Sequence, residues 1–192
     1  TLSSAGTAAA RGLALTAVTG SLMATTTTLT NSTTDGILVS NSPGVSLNFG
    51  TTTITDSSIG SGPAGNGVHL NASAGATVTF SSLAVTSDGG TGLLANASGT
   101  VNIGGTSNTI ASTGGAAVDI TSISLGSGAT FATLTSTNST GKGVNLDTVT
   151  GAFTGNGGAI TSATGVCFDI NGGSSNITFS GPITCTANAL LV

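Results

Sequence analysis

Charge is almost absent from this chain. Its 192 residues hold one Arg (Arg11), one Lys (Lys142) and six acidic side chains, so 4% are charged, against about a quarter in an ordinary globular domain. With a net charge of −4 and two cations, the chain has no basic patch to neutralise phosphates, which argues against nucleic-acid binding. Trp and Tyr are missing altogether, leaving none of the rings that usually stack on sugars. No apolar run approaches the ~18 residues of a membrane span. The chain starts at Thr1 without a leader pattern and has its only Met at Met23, so it reads as a processed or excised piece.

What remains is glycine, hydroxyl and aliphatic. There are 31 Gly, Ser and Thr together make up about a third of the chain, and mean hydropathy is +0.43. Low charge with abundant Val, Ile and Thr argues against disorder. The surface must then be built from hydroxyls, amides and glycine.

Internal repetition organises the sequence. A Gly followed by alternating apolar residues and a polar stop occurs at Gly12, Gly36, Gly67, Gly92, Gly115, Gly143 and Gly165, at intervals of 24, 31, 25, 23, 28 and 22 residues. A second series ends on a bulky residue, at Phe49, Phe80, Ile103, Phe131, Phe153 and Phe179. A third is an aliphatic residue flanked by small or hydroxyl residues, at Leu29, Ile54, Val85, Ile110, Leu134, Ile160 and Ile183. Three short strands per turn, separated by Gly, Asn, Ser and Asp, predict an all-β, three-sided parallel β-solenoid. Residues 1–192 form one such domain of about seven coils of 22–31 residues. Stacking coils ~4.8 Å apart pairs each strand with its equivalents, and period-2 alternation sends one set of side chains inward. The Phe residues then form one inward column. Extra chain is expected at 57–65 and 121–128.

The segments at 114–120 and 136–153 resemble the right-handed parallel β-helix repeats of large bacterial surface and secreted proteins, which share the pectate-lyase-like superfold. The resemblance covers the whole chain and marks architecture more than activity. It implies a stalk, adhesin or fibre module at the cell surface or outside the cell, and no enzyme.

Several constellations carry residue types that can do chemistry. The position after strand one reads Thr16, Ser40, Asn71, Asn96, Asp119, Asp147, Asp169, which would stack three carboxylates on neighbouring coils. Such a stack could hold Ca²⁺ or work as an acid/base pair on a polysaccharide. Asx and Ser/Thr are also what strand ends select for turn formation, and four coils are neutral there. The expectation is therefore no catalytic residue, no metal and no cofactor, with all three aspartates replaceable by Asn at no cost. His69 is placed in an outward column with Ala14, Leu38, Leu94, Ala117, Asn145 and Cys167, as a surface histidine. Cys167 and Cys185 lie round one coil, near enough for a disulfide, whose Cα atoms must come within about 7 Å, and equally compatible with free thiols. The Asn-x-Ser/Thr sequons at Asn31, Asn71, Asn96, Asn138 and Asn176 are as many as composition alone provides. Thr28-Leu29-Thr30, Thr53-Ile54-Thr55 and Thr133-Leu134-Thr135 give Thr ladders like those of ice-binding solenoids, interrupted at Ala84, Ala111, Ala159 and Pro182.

The leading expectation is a rigid structural module of an extracellular filament, stalk or adhesin, with a glycan- or ice-binding module second and a polysaccharide-degrading enzyme third. Thr1-Leu2-Ser3 reads as third-strand chain and residues 189–192 as first-strand chain. The module is thus expected to begin and end partway round a coil and to associate end to end, and side to side through the apolar column of Ala14, Leu38, Leu94 and Ala117.

Overall fold

The computed structural model describes residues 1–55, 65–186 and 188–192, with the backbone alone at 5–10. The described chain is all-β, without a helix, and winds as a β-solenoid of about seven turns with every strand pairing parallel. The insertion expected at 57–65 lies outside the described residues except for Gly65.

Three ladders run the length of the molecule, one per face. The first stacks Leu13, Ile37, Val68, Leu93, Val118, Val144, Phe168 and Leu190. The second stacks Leu22, Leu47, Val78, Val101 and Leu125. The third stacks Leu29, Ile54, Val85, Ile110 and Leu134. Each lies inside because alternate strand residues point to one side, and together they make a single continuous core.

The corners follow a rule of their own. The residue leaving the first face is left-handed in all seven coils: Ala17, Asn41, Ala72, Ala97, Ser122, Thr148 and Gly172, with φ between 47° and 65°. In three coils the next residue is a fully buried serine, Ser42, Ser73 or Ser98. Each donates its hydroxyl to the carbonyl two residues back, at 2.9–3.0 Å. This local bond competes with strand continuation and turns the chain.

Where the first face begins, the backbone passes close to the third face. A Cβ at Gly67 would stand 2.5 Å from the Gly92 carbonyl oxygen and nearer still to Val85 Cγ1. Gly36, Gly92 and Gly143 meet the methyl groups of Ile54, Ile110 and Ile160 in the same way. The row is completed by Ala117 and Cys167, which corrects the expected Gly115 and Gly165. The intervals become 24, 31, 25, 25, 26 and 24, more even than the glycines suggested. The extra chain expected at 121–128 shrinks to a bulge, since the six residues from Ser124 to Ala129 stand against the four from Thr150 to Phe153.

The single Phe column is also corrected. Phe49, Phe80, Ile103, Ala129, Phe153 and Ile177 share one inward row. Phe131 and Phe179 stand two residues further on, with Gly155 between them. Coils ~4.8 Å apart cannot easily stack a ring on a ring at every step, so large and small residues alternate across two rows. A Cβ on Gly155 would meet the Phe179 ring at 2.6 Å. Phe131 still contacts Phe153, at 5.5 Å between centroids, and Phe168 joins Phe153 and Phe179 at 6.4 and 5.4 Å. Ile160 likewise sits beside Ser136 rather than Leu134.

Two substitutions test this packing by denaturant unfolding. Phe131→Ala, emptying a fully buried site, should cost about 3–5 kcal/mol. Gly67→Ala should cost about 1–3 kcal/mol through overpacking, whereas Gly141→Ala, where a Cβ meets nothing within 4 Å, should change stability by about 0.5 kcal/mol or less.

Candidate functional site

The scarce charges gather along one edge, where the third face turns into the first. Arg11, Asp35 and Asn66 stack there in register, and Lys142 stands at the equivalent point, just ahead of Gly143 in the glycine row. Two polar clusters result.

In the first, Asp35 is 4% exposed. Arg11 Nε donates to its Oδ2 at 3.1 Å and Asn66 Nδ2 to its Oδ1 at 2.9 Å. His69 Nδ1 lies 3.2 Å from the same Oδ1. The Thr91 amide donates to Asn66 Oδ1 at 3.1 Å, carrying the network into a fourth coil. Burial raises the Asp35 pKa, but hydrogen bonds from His69 and Asn66, the His69 charge and the Arg11 contact outweigh it, leaving the carboxyl below its usual value. His69 is therefore a half-buried partner of Asp35 rather than a free surface histidine. Asp35 carried no signal in the sequence, because its partners lie 24, 31 and 34 residues away.

In the second cluster the expected carboxylate column is not formed. Asp119, Asn145 and Asp169 pair as one row, which also contains Leu94, His69, Leu38 and Ala14. Asp147 belongs to the next outward row, between Thr121 and Asn171. Ala117 and Cys167, expected in the outward row, are instead fully buried in the glycine row. Asn145 Nδ2 donates to Asp119 Oδ1 at 2.7 Å, and Lys142 Nζ donates to Asn145 Oδ1 at 2.8 Å. Lys142 Nζ also ion-pairs with Asp169 Oδ2. The Asp169 side chain is 7% exposed, and its Oδ1 has no hydrogen-bond partner among the described residues. Asp169 thus neutralises a lysine, a partner that Asp119 and Asp147 do not share. Asp147 is half-buried on its outer row and accepts from the Thr148 hydroxyl at 2.9 Å and Asn171 Nδ2 at 3.3 Å.

Beside this cluster lies a polar cleft of about 180 Å³, walled by the backbones of Gly90, Gly115 and Gly141 and by Asp119, Thr140 and Lys142. Among the described residues no three His, Cys, Asp or Glu side chains come together as metal ligands, and no helix is long and apolar enough to cross a membrane. The two cysteines are joined: Cys167, in the glycine row, is disulfide-bonded to Cys185 with Cα atoms 6.2 Å apart.

The fold and its polar edge define the class, a parallel β-solenoid whose ions pair from coil to coil. No protein-family model, curated protein or solved structure matches the chain.

The lowered Asp35 pKa sets a sign for acid sensitivity. Its contribution is full above the ordinary carboxyl value of 3.8 and is lost as pH falls through the lower folded value. Asp35→Asn should cost about 1–3 kcal/mol at neutral pH. Unfolding measured across the acid range should show variant and parent converging below the usual carboxylate range.

Proposed function

We propose that this chain is a structural module of an extracellular filament, stalk or adhesin, of the bacterial surface type that its repeats resemble. One observation carries the reading: parallel pairing joins each described coil to the next around one continuous apolar core. The last coil presents an open apolar face, a recess of about 190 Å³ lined by Phe168, Ile170, Ile177, Phe179, Ile183 and Leu190. Leu190 and Leu191 are 54% and 50% exposed there. The first coil pairs on one side only, with Leu2, Ser3 and Ser4 beside Thr27, Thr28 and Leu29. Unpaired parallel edges over an apolar core template further β-structure, which suits a module that works within a longer stack of coils. The disulfide supports an oxidising, extracellular setting. The internal pairing of Arg11 and Lys142 supports a scaffold rather than a catalyst.

A second reading rests on the third face. Thr28, Thr53, Ala84, Thr109 and Thr133 form one outward column, and Thr30, Thr55, Thr86, Ala111 and Thr135 its neighbour. The two alanines fall in different columns, so every coil keeps at least one Thr. A flat, uncharged, regular array of methyls and hydroxyls suits a surface-binding module, for ice or glycan.

Sedimentation of the isolated chain over a range of concentrations separates the two. The structural reading expects concentration-dependent growth into rods visible by electron microscopy. A chain that stays monomeric at high concentration, with both terminal strands protected from hydrogen exchange, overturns it. Inhibition of ice recrystallisation by that monomer, lost on Thr53→Tyr, establishes the second reading.

A further inference from the structure

We propose that Lys142 and Asp169 condense into an intramolecular amide that bolts one coil covalently to the next. Lys142 Nζ contacts Asp169 Oδ2 directly, which brings the nitrogen to the acyl carbon. The nitrogen is held from the other side by Asn145 Oδ1 at 2.8 Å. That amide is itself fixed by Asp119, which accepts from Asn145 Nδ2 at 2.7 Å. Asp119 and Asn145 are positioning residues, on the two coils before the one that carries Asp169. They keep the lysine head aimed while its stem, in a side chain 41% exposed, skirts the surface.

The environment of Asp169 favours reaction over a lasting ion pair. Its side chain is 93% buried (7% exposed) and its Oδ1 has no hydrogen-bond partner among the described residues. A buried carboxylate oxygen without a donor is poorly solvated, and exchanging the carboxylate for an amide removes that unpaired anionic oxygen. The ammonium passes one proton to the Asp169 carboxylate. The free amine then attacks Cγ, forming the C–N bond as the C–OH bond breaks. The hydroxyl leaves as water, with a second proton from the nitrogen. One ammonium and one carboxylate become one amide and one water, with no change in oxidation state and no co-reactant. The product leaves a single neutral carbonyl oxygen where a carboxylate stood. The link joins Lys142 to a residue 27 positions on, in the coil that the Cys167–Cys185 disulfide closes upon itself.

Mass spectrometry of the purified, reduced and denatured wild-type chain tests this without any variant. The expected mass is that of the sequence less one water. Trypsin gives a second readout, because Arg11 and Lys142 are its only sites. An amidated lysine is not a substrate, so the unfolded, reduced chain should be cut after Arg11 and left whole after Lys142. Lys142→Arg keeps the ion pair but removes the nucleophile, and should restore the full sequence mass. A wild-type chain at full sequence mass, cut after Lys142, overturns the proposal. A deficit of one ammonia instead of one water also overturns it, since that would place the bond at Asn145.

Discussion

The contact between the glycine row and the third-face aliphatics governs the cross-section of this solenoid. Where Gly36, Gly67, Gly92 and Gly143 pass Ile54, Val85, Ile110 and Ile160, there is no room for a Cβ. The third strand of each coil therefore lands against the start of its first strand, and the triangle closes. Once one coil is closed in this way, the parallel ladders hold the next in step ~4.8 Å further along. The disulfide is a variation on the same contact. Cys167 occupies the glycine row, and its partner lies 18 residues on, the same interval that separates Gly36 from Ile54. The sulfur bridge ties the glycine row to the third strand two residues beyond Ile183, the residue in register with Ile160. Closing a loop of this length contributes about 3 kcal/mol in the chain-entropy account.

That closure also decides where charge can go. The edge beside the glycine row is where buried charged side chains of successive described coils converge without entering the core. Asp35 is buried there with Arg11, Asn66 and His69, and Asp169 is buried there with Lys142. Buried carboxylates are tolerated when hydrogen-bonded and paired, and removing one partner is far more costly than losing a surface pair. Each cluster spans three or more coils, so the few ions brace neighbouring turns against sliding. The outer rows need only Thr, Ser and Asn, whose hydroxyls and amides bond across coils, as Thr16 does with Ser40 at 3.1 Å and Asn171 with Asp147 at 3.3 Å.

Much of this architecture was legible in the residues. The three faces, their strand positions in most coils and the buried character of Phe49, Phe80, Phe131 and Phe153 followed from alternation and repeat alone. The candidate site was not legible in the same measure. Asp119, Asp147 and Asp169 stand out in the sequence with Lys142 as the cation near them, but which of them it pairs with does not, because Lys142 reaches Asp169 only once the coils are stacked. His69 lacked its carboxylate for the same reason. Sequence proximity carries no information about a neighbour one coil away when coils differ in length. The corner after the first face was hidden in another way. Six of its seven left-handed residues are not glycine, so the usual marker of positive φ was missing, and Thr148, a β-branched residue, is among the least expected there.

The errors of register share one size. Gly115 stood for Ala117 and Gly165 for Cys167. Asp119 was placed where Thr121 sits, and Asp169 where Asn171 sits. Phe131 was set in the row of Ala129, and Ile160 beside Leu134 in place of Ser136. Every slip is two residues. A slip of one would have turned core side chains to solvent, and the apolar pattern forbids it. A slip of two exchanges one inward residue for another and leaves the pattern intact. Alternation can therefore determine a strand's register only to within multiples of two. What removes the remaining freedom is steric fit at the corners: which small residue passes the third-face methyls, and which residue bends the chain into the second face. Ala117 and Cys167 stand in that row without being glycine, both fully buried, and Cys167 is bonded through its sulfur to Cys185. The glycines two residues before them, at 115 and 165, resemble the repeat more closely but lie outside the row.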